Sequence, residues 1–186
     1  MGFWEWLMGT PPETRTVPAR RESKTTALQR RATVFGIEVG DVVAYDGTDY
    51  IVTNKLTYEE GGFYWYDYLL VDEPSGQELW LSAEDDDGVS IGIFREIALE
   101  AIPPVPTRLT HDGKTYRQTE HSHARVRLER EDAARDTEAG QVEYWDFEGP
   151  GDTYLSVLRW GGTYEASAGQ EIGAHELTIY PANLPS

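Results

Sequence analysis

The 186-residue chain contains no cysteine, which excludes disulfides, thiolate metal sites and cysteine nucleophiles together. It has no run near the ~20 apolar residues that cross a bilayer as a helix. Its first residues show neither a positive n-region nor the apolar stretch of a secretory signal, so a cytoplasmic location is the expectation. Basic residues are scarce: 16 Lys and Arg stand against 33 Asp and Glu, a formal charge of −17 at pH 7. The imbalance is uneven, with a net +3 over residues 1–36 and −20 over residues 37–186. An acidic body repels phosphate backbones, so nucleic acid is not an expected partner. A solvated surface is the ordinary reading of such charge, and a cationic ligand the functional one.

What the chain does have is aromatic side chains: six Trp, eleven Tyr and five Phe among 39% hydrophobic residues, enough apolar surface to form a core. Residues 1–36 differ from the rest. Phe3, Trp4, Trp6, Leu7 and Met8 form a short amphipathic segment, Pro11 and Pro12 stop any helix, and Arg15, Arg20, Arg21, Lys24, Arg30 and Arg31 make a basic linker. This segment is a candidate contact with a membrane surface or a protein partner.

From Ile37 the pattern becomes short alternating runs split by glycine and acidic turns, as antiparallel strands and hairpins require. Val42 to Tyr45 makes one run, Asp46-Gly47 is a tight-turn signal, and Tyr50 to Tyr58 returns. Residues 63–71, 79–82 and 89–97 supply further runs, about five strands in one unit. The same order follows Pro103-Pro104-Val105-Pro106. His111 to Tyr116 repeats Tyr45 to Tyr50 sixty-six positions later, Tyr144-Trp145-Asp146-Phe147 repeats the aromatic strand, and Tyr154-Leu155-Ser156 repeats Trp80-Leu81-Ser82 seventy-four positions later. The charged stretch 128–140 is the added length, an extended loop or short exposed helix. The fold expectation is therefore all-β: two diverged copies of a small five-stranded antiparallel barrel, SH3-like or similar, packed together over 37–104 and 105–186, or one larger barrel formed from both repeats.

Strict alternation puts Tyr50, Val52, Leu56 and Tyr58 on one face of the first unit. In the second it puts Tyr116, Ala124, Val126 and Leu128 on the equivalent face, leaving Arg117, Thr119, His121, His123, Arg125 and Arg127 as a basic stripe opposite.

Gly40 to Tyr50, Leu56 to Glu60 and Trp80 to Asp86 together resemble a bacterial family catalogued as domain of unknown function 4178. The resemblance implies no activity and no catalytic residues. It implies an accessory role beside a membrane system, since members are encoded near envelope-stress proteins, small membrane proteins and polyamine-synthase-like enzymes.

No constellation compels an enzyme. Gly88-Val89-Ser90-Ile91-Gly92 fits a nucleophile elbow in letters, yet it lies in a β run where the required strand-to-helix turn is missing. His121 and His123 share a face as metal ligands do, but Arg117, Arg125 and Arg127 oppose a divalent cation, so no metal is expected. No cofactor is expected either. Glu84, Asp85, Asp86 and Asp87 form a turn suited to a small polycation such as a polyamine. Tyr58, Tyr64, Trp65, Tyr66 and Trp80 are the candidate partner surface, because Tyr and Trp anchor interfaces. The leading expectation is a non-enzymatic adaptor in a bacterial membrane-associated or envelope-stress system. A polycation receptor is the alternative, and a serine hydrolase the remote one.

Overall fold

A computed structural model describes residues 33–85, 88–99, 103–130 and 138–182. Among them there is no α-helix, and none is long and apolar enough to cross a membrane. The strands are β1 (Val42–Tyr45), β2 (Thr48–Glu60), β3 (Phe63–Asp72), β4 (Gln77–Asp85), β5 (Val89–Glu96), β6 (Arg108–His111), β7 (Lys114–Arg130), β8 (Glu138–Glu148), β9 (Thr153–Trp160), β10 (Thr163–Glu171) and β11 (Leu177–Tyr180).

The Asp-Gly signals form two of the four two-residue turns among the described residues. Asp46 and Gly47 take φ of 47° and 76°, and Asp112 and Gly113 take 48° and 74°, so both two-residue loops have the left-handed geometry that matches strand twist. The stretch 128–140 departs from the expected loop: β7 runs on to Arg130 and β8 begins at Glu138.

The strands pair antiparallel in the order β11-β1-β2-β3-β4-β5-β10-β9-β8-β7-β6, and a further β2–β7 pairing joins the ends. Eight strands, β2 to β5 and β7 to β10, thereby close into one barrel, which leaves no open edge around its wall. The two separate five-stranded barrels expected from sequence are not formed; the single-barrel alternative is. The seams explain why: Glu59 pairs with Arg125, and Phe94 with Gly169, so each half completes its hydrogen bonding on the other.

Strict alternation also fails at two places. β-bulges at Thr53 in β2 and Thr119 in β7 insert one residue and turn the following side chains to the other face. Tyr50 and Val52 consequently pack outside the barrel, while Leu56 and Tyr58 point in. Tyr116 is likewise outside and Ala124, Val126 and Leu128 inside, and Arg117 is parted from the His121 to Arg127 stripe.

The outer wall carries two apolar cores. Over β2 to β5, the outward Tyr68, Leu70, Leu79, Leu81, Ile91 and Ile93 are covered by Val34, Phe35 and Ile37 together with β1 and β11. Over β7 to β10, Trp145, Phe147, Leu155 and Val157 are covered by Ile97, Leu99, Val105 and Leu109. The second cover is the segment that leads into its half, whereas the first joins the leading segment and β1 to the C-terminal β11. Lys55 fixes the first by donating to the Ile37 carbonyl at 3.0 Å, and Asp41 accepts from the Glu38 and Ala182 backbone N–H groups, both at 2.9 Å.

Candidate functional site

A third apolar cluster lies inside the barrel, where Leu56, Tyr58, Ala124, Val126, Val142 and Tyr144 pack with several tryptophans, and polar side chains stand among it. Following the register inward from Leu56 and Tyr58, the lumen receives Trp65, Asp67 and Leu69 from β3, then Trp80, Ser82 and Glu84 from β4. From the opposite wall come Tyr154, Ser156, Leu158 and Trp160 of β9, Tyr144 and Asp146 of β8, and Glu120 and Ser122 of β7. Trp65, Asp67, Trp80, Ser82, Ser156, Leu158 and Trp160 keep part of their surface accessible although they point into a closed wall, so the lumen is not filled.

A cavity of about 370 Å³ occupies one end, the size of a small-molecule site. Leu56, Trp80, Val126, Leu128 and Trp160 supply its apolar surface, and Asn54, Arg130 and Glu165 its polar groups. The Trp160 indole Nε1 is buried here with no hydrogen-bond partner, an arrangement that costs free energy unless something accepts from it.

The lumen also holds two inward acids, Asp146 buried and Asp67 partly accessible. Asp67 lies between Leu56 and Ser82 in register; burial raises its carboxyl to about 6, against a Ser82 hydrogen bond that favours the charged form. Asp146 lies opposite Ser156; burial raises it to about 8, the Ser156 hydrogen bond opposes this, and the charges of Glu120 and Asp67 add to the rise. Two carboxyls raised to different extents in one lumen are the arrangement by which functional sites hold charge and protons near neutral pH.

The far end is closed by side chains. The Tyr144 hydroxyl is 2.6 Å from Glu60 and 2.8 Å from Glu120, and Ser122 donates to Glu60. Trp65 stacks on Tyr58 with centroids 4.9 Å apart and meets Tyr144 edge-on at 5.7 Å.

The aromatic residues expected to form one partner surface are divided. Tyr58, Trp65 and Trp80 line the lumen; Tyr66 packs outward against Phe35, and only Tyr64 of the five is largely exposed, at 51%. The acidic turn is divided as well: Glu84 is buried and inward, opposite Ser90, whereas Asp85 is exposed, because consecutive strand residues point to opposite faces. Asp86, Asp87, Phe3, Trp4, Trp6, Leu7 and Met8 lie outside the described residues. Ser90 sits within β5.

His121 and His123 are on the outer wall, where His121 stacks on Trp145 at 4.6 Å and its Nε2 is 2.8 Å from Glu143. That contact, before opposing burial, helps to hold the Glu143 carboxyl below its usual range, as does Arg159. Among the described residues no three His, Asp or Glu side chains converge as metal ligands.

Sequence reasoning missed Asp67, Asp146, Ser82 and Ser156 as a site. The signal was present in the sequence, since both aromatic strands carry an Asp and both following strands a Ser.

These features define a closed antiparallel barrel with an aromatic, acidic lumen. The chain belongs to the family described as Domain of unknown function (DUF4178), whose model matches residues 38–174. It is 30% identical over 151 residues to uncharacterized proteins of Mycobacterium bovis and Mycobacterium tuberculosis, covering 77% of this chain and 71% of theirs. No solved structure matches.

Proposed function

We propose that the chain is a binding protein rather than a catalyst, and that its lumen takes a small organic amine with a methylene or ring body. The observation that carries this reading is the cavity between Trp80 and Trp160, whose wall residue Leu56 stands in register with the inward Asp67, in a lumen that also holds Asp146. Indole faces suit both apolar bodies and cations, and buried carboxyls gain a partner when an ammonium group enters. The polycation reading of the sequence thus moves from the acidic turn into the barrel, with Glu84 common to both. The adaptor reading loses weight, because three of its five rings point inward. The tail residues Phe3, Trp4, Trp6, Leu7 and Met8 remain its proposed contact with a partner or an inner membrane face.

We also read the barrel as a duplication closed on itself. The bulges at Thr53 and Thr119 fall sixty-six positions apart, as do the paired Glu59 and Arg125, and the Asp67–Ser82 pairing corresponds to Asp146–Ser156.

Tryptophan fluorescence of the full chain, titrated with spermidine and with phenethylamine at low and physiological salt, tests the amine reading. Saturable quenching that survives physiological salt and weakens at least tenfold in Asp67→Asn is expected. A response that disappears with salt is counterion condensation and overturns the reading, as does the absence of any response.

A further inference from the structure

The closed end of the lumen contains more acceptors than the available protons satisfy. Tyr144 lies within hydrogen-bond distance of both Glu60 and Glu120, yet a phenol has one proton and donates it once. With both carboxyls ionised, one of the two contacts sets lone pairs against each other. It becomes a hydrogen bond when that carboxyl carries a proton and donates to the phenol oxygen. Glu120 is the better holder. Its second oxygen is buried without a partner, and burial raises its carboxyl, with the charge of Glu60 adding and the Tyr144 hydrogen bond opposing.

Glu120 pairs in register with Asp146, and so connects this end to the centre of the lumen. The groups facing Asp146 from the other strands are acids and phenols: Tyr58 and Glu60 from β2, Asp67 from β3, Glu84 from β4, Tyr154 from β9 and Glu165 from β10. From β5 come Ser90, Gly92 and Phe94, which do not titrate. Arg130 stands at the cavity mouth and Arg117 is exposed past the bulge at the other end.

Resting on the amine reading above, we propose that amine binding in this lumen releases a proton held among Asp67, Asp146 and Glu120, so that the ligand is taken up as pH rises and let go as it falls. The exchange balances: a carboxylic acid and an ammonium ion give a carboxylate–ammonium pair and a free proton. An ammonium group beside a carboxyl favours its charged form, and the proton leaves for solvent.

Calorimetric titration of the full chain with spermidine at pH 7, in two buffers of different ionisation enthalpy, measures the exchange. The expected result is an enthalpy difference corresponding to about one proton released per ligand, with affinity rising up to ~10-fold per pH unit between pH 6 and 8. Asp146→Asn, or Glu120→Gln should the first variant not fold, is expected to bind while releasing less than about half that proton. Saturable binding with equal enthalpies in both buffers and a flat pH profile overturns the coupling and leaves the amine reading standing. No binding at all removes both.

Discussion

Across the lumen, the charge of Asp67 helps to raise the carboxyl of Asp146, although 79 positions separate them in the chain. Each stands opposite a serine of the next strand, Ser82 and Ser156 respectively. A filled barrel has no reason to hold two such groups, because burying a carboxylate costs stability that apolar packing would add. Asp67 stands in register with Leu56 of the cavity wall, and the proposed binding role draws on that neighbourhood.

Stability should fall as pH rises. Both carboxyls are raised, to about 6 and about 8, so their protonated forms favour the folded chain fully below pH ~4, and that contribution is lost as pH rises through those values. The slope is at most ~1.4 kcal/mol per pH unit for each proton. Asp146→Asn should flatten the profile and exceed the unsubstituted chain in stability at pH 9. Urea unfolding at pH 5, 7 and 9 measures this; a profile that rises across the window contradicts the burial of these acids.

Tyr144→Phe removes the hydroxyl between Glu60 and Glu120. We expect a loss of ~1–3 kcal/mol, larger at pH 8 than at pH 5, because ionised carboxyls there face each other without the phenol between them. Adding Glu120→Gln should restore part of it. Equal loss at both pH values contradicts the shared-proton account.

The β5–β10 seam depends on a glycine. A Cβ at Gly169 would collide with the Ile93 carbonyl and the Phe94 ring, and backbone in a ladder cannot move aside. Gly169→Ala should cost ~1–3 kcal/mol or more. Gly140→Ala, whose Cβ would meet Val126 at 3.8 Å, is the control and should be nearly neutral. Thermal melts of the two variants that coincide would argue against a tightly closed seam.

Trp160→Phe deletes a buried donor that has no acceptor. Relief of that donor offsets the lost ring, so stability should stay within ~1 kcal/mol of the parent. A loss of ~3 kcal/mol or more in chemical denaturation would mean the indole is held by packing alone.

Strand content, the Asp-Gly turns and the recurrence of an aromatic strand followed by a Leu-Ser strand were legible, since each is written in neighbouring residues. Face assignments were legible only as far as the bulges. A bulge is set by pairing with another strand, and nothing at Thr53 or Thr119 announces it. Tyr58, Trp65 and Trp80 were expected on a partner surface, whereas barrel closure turns them into the lumen. Glu84 was joined to its sequence neighbours, from which strand alternation separates it.

The amino-acid order by itself determined that this chain would form antiparallel strands with an acidic body, because alternation, turn residues and charge are local properties. Which side of those strands became the inside was decided only in three dimensions. Two half-sheets met at β2–β7 and β5–β10, and residues 33–37, 97–99 and 103–109, with β1 and β11, covered the outward apolar faces. Closure then turned Asp67 and Asp146 into one shared lumen, since an edge hydrogen bond can be satisfied by any strand in reach, including one from the far half of the chain.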